Sequence, residues 1–141
     1  MSPSHGHPSR ARELVLRLPA EAPQIPVARR AVARYCLDGG MAAELVDDVK
    51  LVVTEAVTNV VLHAYDAQAS VERAFDLRAL FAAGELLVSV VDQGRGSGAT
   101  AATPGLGLGL RLARQMAAGM QMPATESGTG TSVELRFRLA V

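Results

Sequence analysis

Four short clusters hold the residue types that could do chemistry. The first is Glu55-Ala56-Val57-Thr58-Asn59-Val60-Val61-Leu62-His63-Ala64-Tyr65. Glu55 and Asn59 stand four positions apart, one helical turn, so a carboxylate and an amide can address a single ligand. Both fall on the flank of an apolar arc, where polar groups are costly unless something satisfies them. Hard cations take oxygen ligands of this kind, and Mg²⁺ travelling with a nucleotide is one such use. The plain alternative is a partly solvated helix edge with an incidental ion pair.

The second cluster is Val90-Val91-Asp92-Gln93-Gly94-Arg95-Gly96, an Asp at a strand end followed by alternate glycines. Such glycines permit unusual backbone angles and close approach of a flat ligand, and the carboxylate can accept from an exocyclic amine such as adenine's. An ordinary Asp/Gly turn reads the same way. The third is Pro104-Gly105-Leu106-Gly107-Leu108-Gly109-Leu110-Arg111-Leu112, in which alternating glycines lead into a helix whose exposed amides suit an anion. It is not a G-x-x-x-x-G-K-[ST] phosphate loop, because Lys50 is the only Lys, and its G-x-G-x-G spacing makes a poor dinucleotide fingerprint. The fourth is Ser127-Gly128-Thr129-Gly130-Thr131, which enters the last strand.

The elements that must position these clusters show in the hydropathy. Arg12 to Leu18 alternates like a half-buried strand. A helix is expected from Pro26, at its first position, to about Leu37, stopped by Asp38-Gly39-Gly40. The clearest element is a helix from Met41 to about Ala64, with Leu45, Val49, Val52, Val53, Ala56, Val57 and Val60 inside one arc of about 140°. Strands follow at Arg73 to Phe81, Leu86 to Val91 and Ser132 to Leu139, with a loop at Gly94 to Gly107 and a helix from about Leu108 to Ala118. This order predicts an α/β (α+β) two-layer sandwich: a mixed, mainly antiparallel sheet with helices on one face.

Composition narrows the function. Thirteen Arg and one Lys balance 14 acidic residues, so the chain lacks the basic excess that bulk nucleic-acid or anionic-membrane binding needs. A single Cys36 rules out a disulfide framework and a cysteine-cluster zinc site. Without a secretory or membrane-spanning segment, a cytoplasmic protein is expected, with residues 1–11 a disordered tail and 12–141 one domain.

In combination the four clusters, in this order and within about 80 residues, resemble the GHKL ATPase superfamily of gyrase, MutL and the histidine kinases. The size of the chain is similar to the anti-sigma factor serine/threonine kinases of that superfamily. The resemblance implies the GHKL (Bergerat) fold over about residues 12–139, with Mg²⁺ and ATP as cofactors. It implies that Asn59 holds Mg²⁺ against the ATP phosphates and that Glu55 is the general base toward a serine hydroxyl. Asp92 would read adenine, with Gly94 and Gly96 passing near the base and Thr131 supporting it. Gly105, Gly107 and Gly109 would bring amides to the phosphates, and His63 would be structural. The linker Ser97 to Pro104 is short and uncharged where many relatives carry a longer lid, which predicts weak nucleotide retention.

The resemblance further implies a kinase that phosphorylates a small anti-anti-sigma (STAS-type) antagonist and regulates a sigma factor by partner switching, with a homodimer expected. The alternative is a non-catalytic nucleotide-binding module whose output is protein binding. A detached histidine-kinase catalytic domain is a weaker third reading, since no helix with a phosphoacceptor His is visible.

Overall fold

A computed structural model describes residues 12–65, 72–94, 119–121 and 130–139. The chain runs through β1 (Leu14–Pro19), α1 (Gln24–Asp38), α2 (Ala43–Asn59), a π-helical turn (Val60–Ala64), β2 (Ala74–Ala82), β3 (Glu85–Asp92), β4 (Gly119–Gln121) and β5 (Thr131–Arg138). The strands form one sheet in the order β1-β2-β3-β5-β4. Every pairing among the described residues is antiparallel, so the parallel component of the expected mixed sheet is not found in them.

Alternation decides which sheet face is buried. Leu14, Leu16 and Leu18 lie opposite Ala79, Leu77 and Phe75. Phe75, Leu77, Ala79 and Phe81 in turn face Asp92, Val90, Val88 and Leu86. Across the next ladder Leu86, Val88 and Val90 meet Phe137, Leu135 and Val133. These side chains share one face because residues two apart in a strand point the same way. They join Ala28, Val32 and Cys36 of α1 and Val46, Val49, Val52, Val53, Ala56 and Val57 of α2 in one apolar cluster. Helices therefore cover that face. The opposite face carries the polar alternates, among them the ion pairs Arg17–Asp76, Arg78–Glu13 and Arg136–Glu85.

Several boundaries differ from the sequence reading. Helix α1 begins at Gln24, two residues before Pro26, and Pro26 is tolerated because first-turn amides have no intrahelical acceptor. It ends where expected: Gly40 takes a left-handed φ of 88° and Met41 N–H donates to the Cys36 carbonyl at 3.0 Å. Helix α2 starts at Ala43 rather than Met41, and its α winding stops at Asn59; Val60–Ala64 widen into the π turn. Strand β1 is shifted to Leu14–Pro19. The β2–β3 hairpin turns on Ala83 and Gly84, both at positive φ (52° and 77°), as a two-residue type I′ turn requires. The expected helix from Leu108 to Ala118, the linker Ser97–Pro104 and the tail 1–11 lie outside the described residues.

Candidate functional site

The end of β3, the start of β5 and the end of the long helix meet at one end of the sandwich. Asp92 is the last residue of β3 and points to the covered face, where it is only 3% exposed. The β3–β5 register sets Thr131 directly opposite it. Thr131 N–H donates to Asp92 Oδ1 at 3.2 Å, and Gly94 N–H donates to the same oxygen at 2.8 Å. Burial raises the Asp92 carboxyl above its ordinary pKa, and the two amide donors pull it partly back. Both bonds fall on Oδ1, which leaves Oδ2 without a partner among the described residues. A carboxylate so placed is suited to accept one hydrogen bond from a planar amine-bearing ligand.

Two glycines make the approach to Asp92 possible. A Cβ on Gly94 would collide with the backbone carbonyl of Ala64, the last residue of the π turn. Gly130 adopts φ of 82°, and a Cβ there would collide with the Asp92 carbonyl. Backbone thus lies against backbone on both sides of the aspartate. Gly94 was an expected site residue; Gly130 was legible only as part of the terminal Gly/Thr run.

Glu55 and Asn59 lie one turn apart on α2, both half-buried, as their spacing predicts. The Asn59 Nδ2 atom is buried and has no hydrogen-bond partner among the described residues. An unpartnered buried amide costs stability, and a ligand would satisfy it. Turning the amide over exchanges nitrogen for oxygen, so the same position can present a metal-binding oxygen. Glu55 has no ion-pair partner among the described residues. His63 belongs to the π turn, half-buried beside this helix end. Gly96, Gly105, Gly107 and Gly109 lie outside the described residues.

Residues 18–137 match the sequence pattern of the Histidine kinase-like ATPase domain. The chain belongs to that family. Among its relatives, the anti-sigma F factor of Clostridium acetobutylicum is 32% identical over 84 residues, 60% of this chain and 57% of the relative. That of Caldanaerobacter subterraneus subsp. tengcongensis is 32% identical over 69 residues, 49% of this chain and 46% of the relative. The chain thus spans about half the length of the anti-sigma F factors it matches. Two solved structures share the fold. The RsbU and RsbW domains of a Mycobacterium tuberculosis protein superpose with a TM-score of 0.72 at 22% identity, covering 91% of this chain and 32% of that one. The SiaB–SiaC complex of Pseudomonas aeruginosa gives 0.69 at 17% identity, covering 88% of both chains.

Within this histidine kinase-like ATPase domain, the structure brings Asp92, Gly94 and Thr131 into direct contact. It places Asn59 and Glu55 on the helix whose end abuts Gly94. The residue that sequence reasoning missed is Tyr65. Its hydroxyl donates to the Ala74 carbonyl at 2.8 Å and accepts from Gln93 N–H at 2.9 Å. The available signal was its place directly after the helix motif, as one of only two Tyr in the chain.

Proposed function

We propose that this domain binds Mg-ATP and acts as an anti-sigma-type serine/threonine protein kinase. Its substrate would be a serine on a small anti-anti-sigma (STAS-type) antagonist, and its output partner switching of a sigma factor. The observation that carries the reading is the buried Asp92 carboxylate, held by two amides on one oxygen and without a partner on the other among the described residues. Asp92 Oδ2 would accept from the adenine amine, with Thr131 fixing the carboxylate from the neighbouring strand. The unpartnered Asn59 amide fits a ligand to Mg²⁺. Among the described residues no three His, Cys, Asp or Glu side chains gather into a metal cluster. A cation here would therefore take its other ligands from phosphate oxygens and water.

When bound, ATP would supply the γ-phosphoryl group and leave as ADP, and Mg²⁺ held by Asn59 would spread the charge that develops. Glu55, one turn from Asn59 and without an ion pair among the described residues, would accept the proton of the attacking serine hydroxyl. Gly96 would pass near the base, and Gly105, Gly107 and Gly109 would offer backbone amides to the phosphates. The names of the anti-sigma F relatives support the regulatory setting. A homodimer is part of the same reading.

The test is transfer of labelled phosphate from ATP to a STAS-type protein. Glu55→Gln should bind ATP as wild type does, yet transfer at least about 100-fold more slowly, the usual range for loss of a general base. Equal transfer by the variant would remove Glu55 from its role. ATP binding with no transfer to any antagonist would favour the non-catalytic module, for which the short Ser97–Pro104 linker also argues.

A further inference from the structure

Tyr65 is held at three points of the fold. It follows the π turn at Val60–Ala64 and has extended backbone angles (φ −127°, ψ 140°), so the chain leaves the helix there. The i→i+5 winding of that turn presents the residues after it at a different angle from a continued α-helix. From this position the phenol donates to the carbonyl of Ala74, the first residue of β2, and accepts from the amide of Gln93. One hydroxyl has one proton to donate, and here that proton and a lone pair are both engaged. Burial raises the phenol pKa, which keeps it a neutral donor.

The partners explain what the bridge does. The β2–β3 ladder ends with the pair Phe75–Asp92, so Gln93 N–H lies just past the last strand pair. The Tyr65 hydroxyl accepts from it, and an amide that loses this bond is less firmly held. Gln93 links Asp92 to Gly94, and both of those residues set the carboxylate: one carries it and the other donates to it. The same tyrosine is six positions beyond Asn59 along the continuous helix and π turn.

We propose that Tyr65 is a positioning residue for the nucleotide base: its hydroxyl locks the Asp92–Gly94 turn to the end of the helix that carries Asn59. Base reading and cation holding then share one geometry. This rests on the nucleotide reading above, in which Asp92 recognises an exocyclic amine.

The experiment compares ATP with ITP, which carries a carbonyl where adenine has its amine, in wild type and Tyr65→Phe. The variant keeps the ring and loses both hydrogen bonds. Wild type should prefer ATP, and Tyr65→Phe should narrow the ATP/ITP affinity ratio by about tenfold, the scale of one lost hydrogen bond to the reading group. A general loosening of the fold would weaken both nucleotides alike. An unchanged ratio, whatever the absolute affinities, therefore overturns the proposal. Hydrogen exchange on the unliganded protein gives a second readout. The Gln93 amide should lose protection in Tyr65→Phe while the Val90 amide keeps it; retained protection at Gln93 also overturns the proposal. Wild type that binds neither nucleotide, or both alike, sinks the nucleotide reading itself and the inference with it.

Discussion

Thr131 donates its backbone N–H to Asp92 Oδ1 across the β3–β5 ladder, from the position directly opposite in the register. The aspartate is thus held by main chain on a strand, not by a mobile side chain, and Gly94 completes the hold from its own loop. A carboxylate buried to this degree with no cationic partner among the described residues is a cost to the unliganded fold. On the proposed reading, that cost keeps Oδ2, which has no partner among the described residues, available to a ligand.

That cost can be measured with Asp92→Asn, which keeps an acceptor for the two amides and removes the charge. The folded pKa of Asp92 lies above its unfolded value because burial outweighs the amide donors. Its favourable contribution is therefore fully present below the ordinary carboxylate pKa and is lost as pH rises through the folded one. At pH 7.5 the variant should melt no lower than wild type, and the gap should close as the pH is lowered through the folded pKa. Its ATP affinity should fall by about 10–100-fold, the loss of a hydrogen bond to a charged group. A melting gap that widens on acidification would contradict the burial argument.

Asn59 predicts a similar opposition between stability and binding. Its buried Nδ2 has no partner among the described residues, so Asn59→Ala is expected to remove an unsatisfied group along with some packing. Denaturant unfolding should show a stability change within about 1 kcal/mol, where loss of a satisfied buried amide would cost about 1–3 kcal/mol. Titration of ATP with and without Mg²⁺ should show a metal effect in wild type and none in Asn59→Ala. Metal-dependent binding retained in the variant would place the cation elsewhere.

Gly94 and Gly84 separate two reasons for glycine. A methyl group on Gly94 would strike the Ala64 backbone, which cannot rotate away. Gly84, in the β2–β3 turn at φ of 77°, faces open space. Gly84→Ala should cost only the left-handed backbone penalty, about 1–2 kcal/mol, and leave ATP binding intact. Gly94→Ala should cost at least about 2 kcal/mol by forced displacement and also weaken ATP binding, because the displaced segment holds Asp92. Calorimetric melting and nucleotide titration of both variants check the pair. Equal binding losses would show that the close approach at Ala64 is unimportant to the site.

The architecture was legible wherever burial imposed a period. The alternation of Leu14, Leu16 and Leu18, and of Val133, Leu135 and Phe137, survives because one sheet face is covered and the other is not. The arc of Val49, Val52, Val53, Ala56 and Val57 survives for the same reason in α2. The π turn was not legible, since Val60 and Ala64 continue the apolar pattern while the winding beneath them changes. Strand β4, three residues beginning at Gly119, is too short to carry a period. Nor does sequence reveal that Ala83 sits at positive φ, a position imposed by the two-residue hairpin. Glu55, Asn59 and Asp92 could be named as candidates because each stands in a short local cluster of the sequence. Tyr65 escaped because its role comes from bonds to Ala74 and Gln93, which only the folded chain brings together.

Cys36 supplies a binding assay that needs no partner protein. Its thiol is fully buried in α1, and burial pushes its pKa up to about 12. Reaction with an alkylating reagent requires the thiolate and access to it, so at pH 8 the native state should be inert and labelling should follow opening of the core. A ligand that binds only the native state lowers the open population by the factor 1 + [L]/Kd. Mg-ATP at about 100 times its Kd should therefore slow labelling by about 100-fold if opening is global. Under the same conditions Asp92→Asn, with its affinity lowered about 10–100-fold, should show only about 11-fold to 2-fold slowing. Rapid labelling of the native protein at pH 8 would contradict the burial of Cys36. Slow labelling that Mg-ATP does not change would instead count against nucleotide binding.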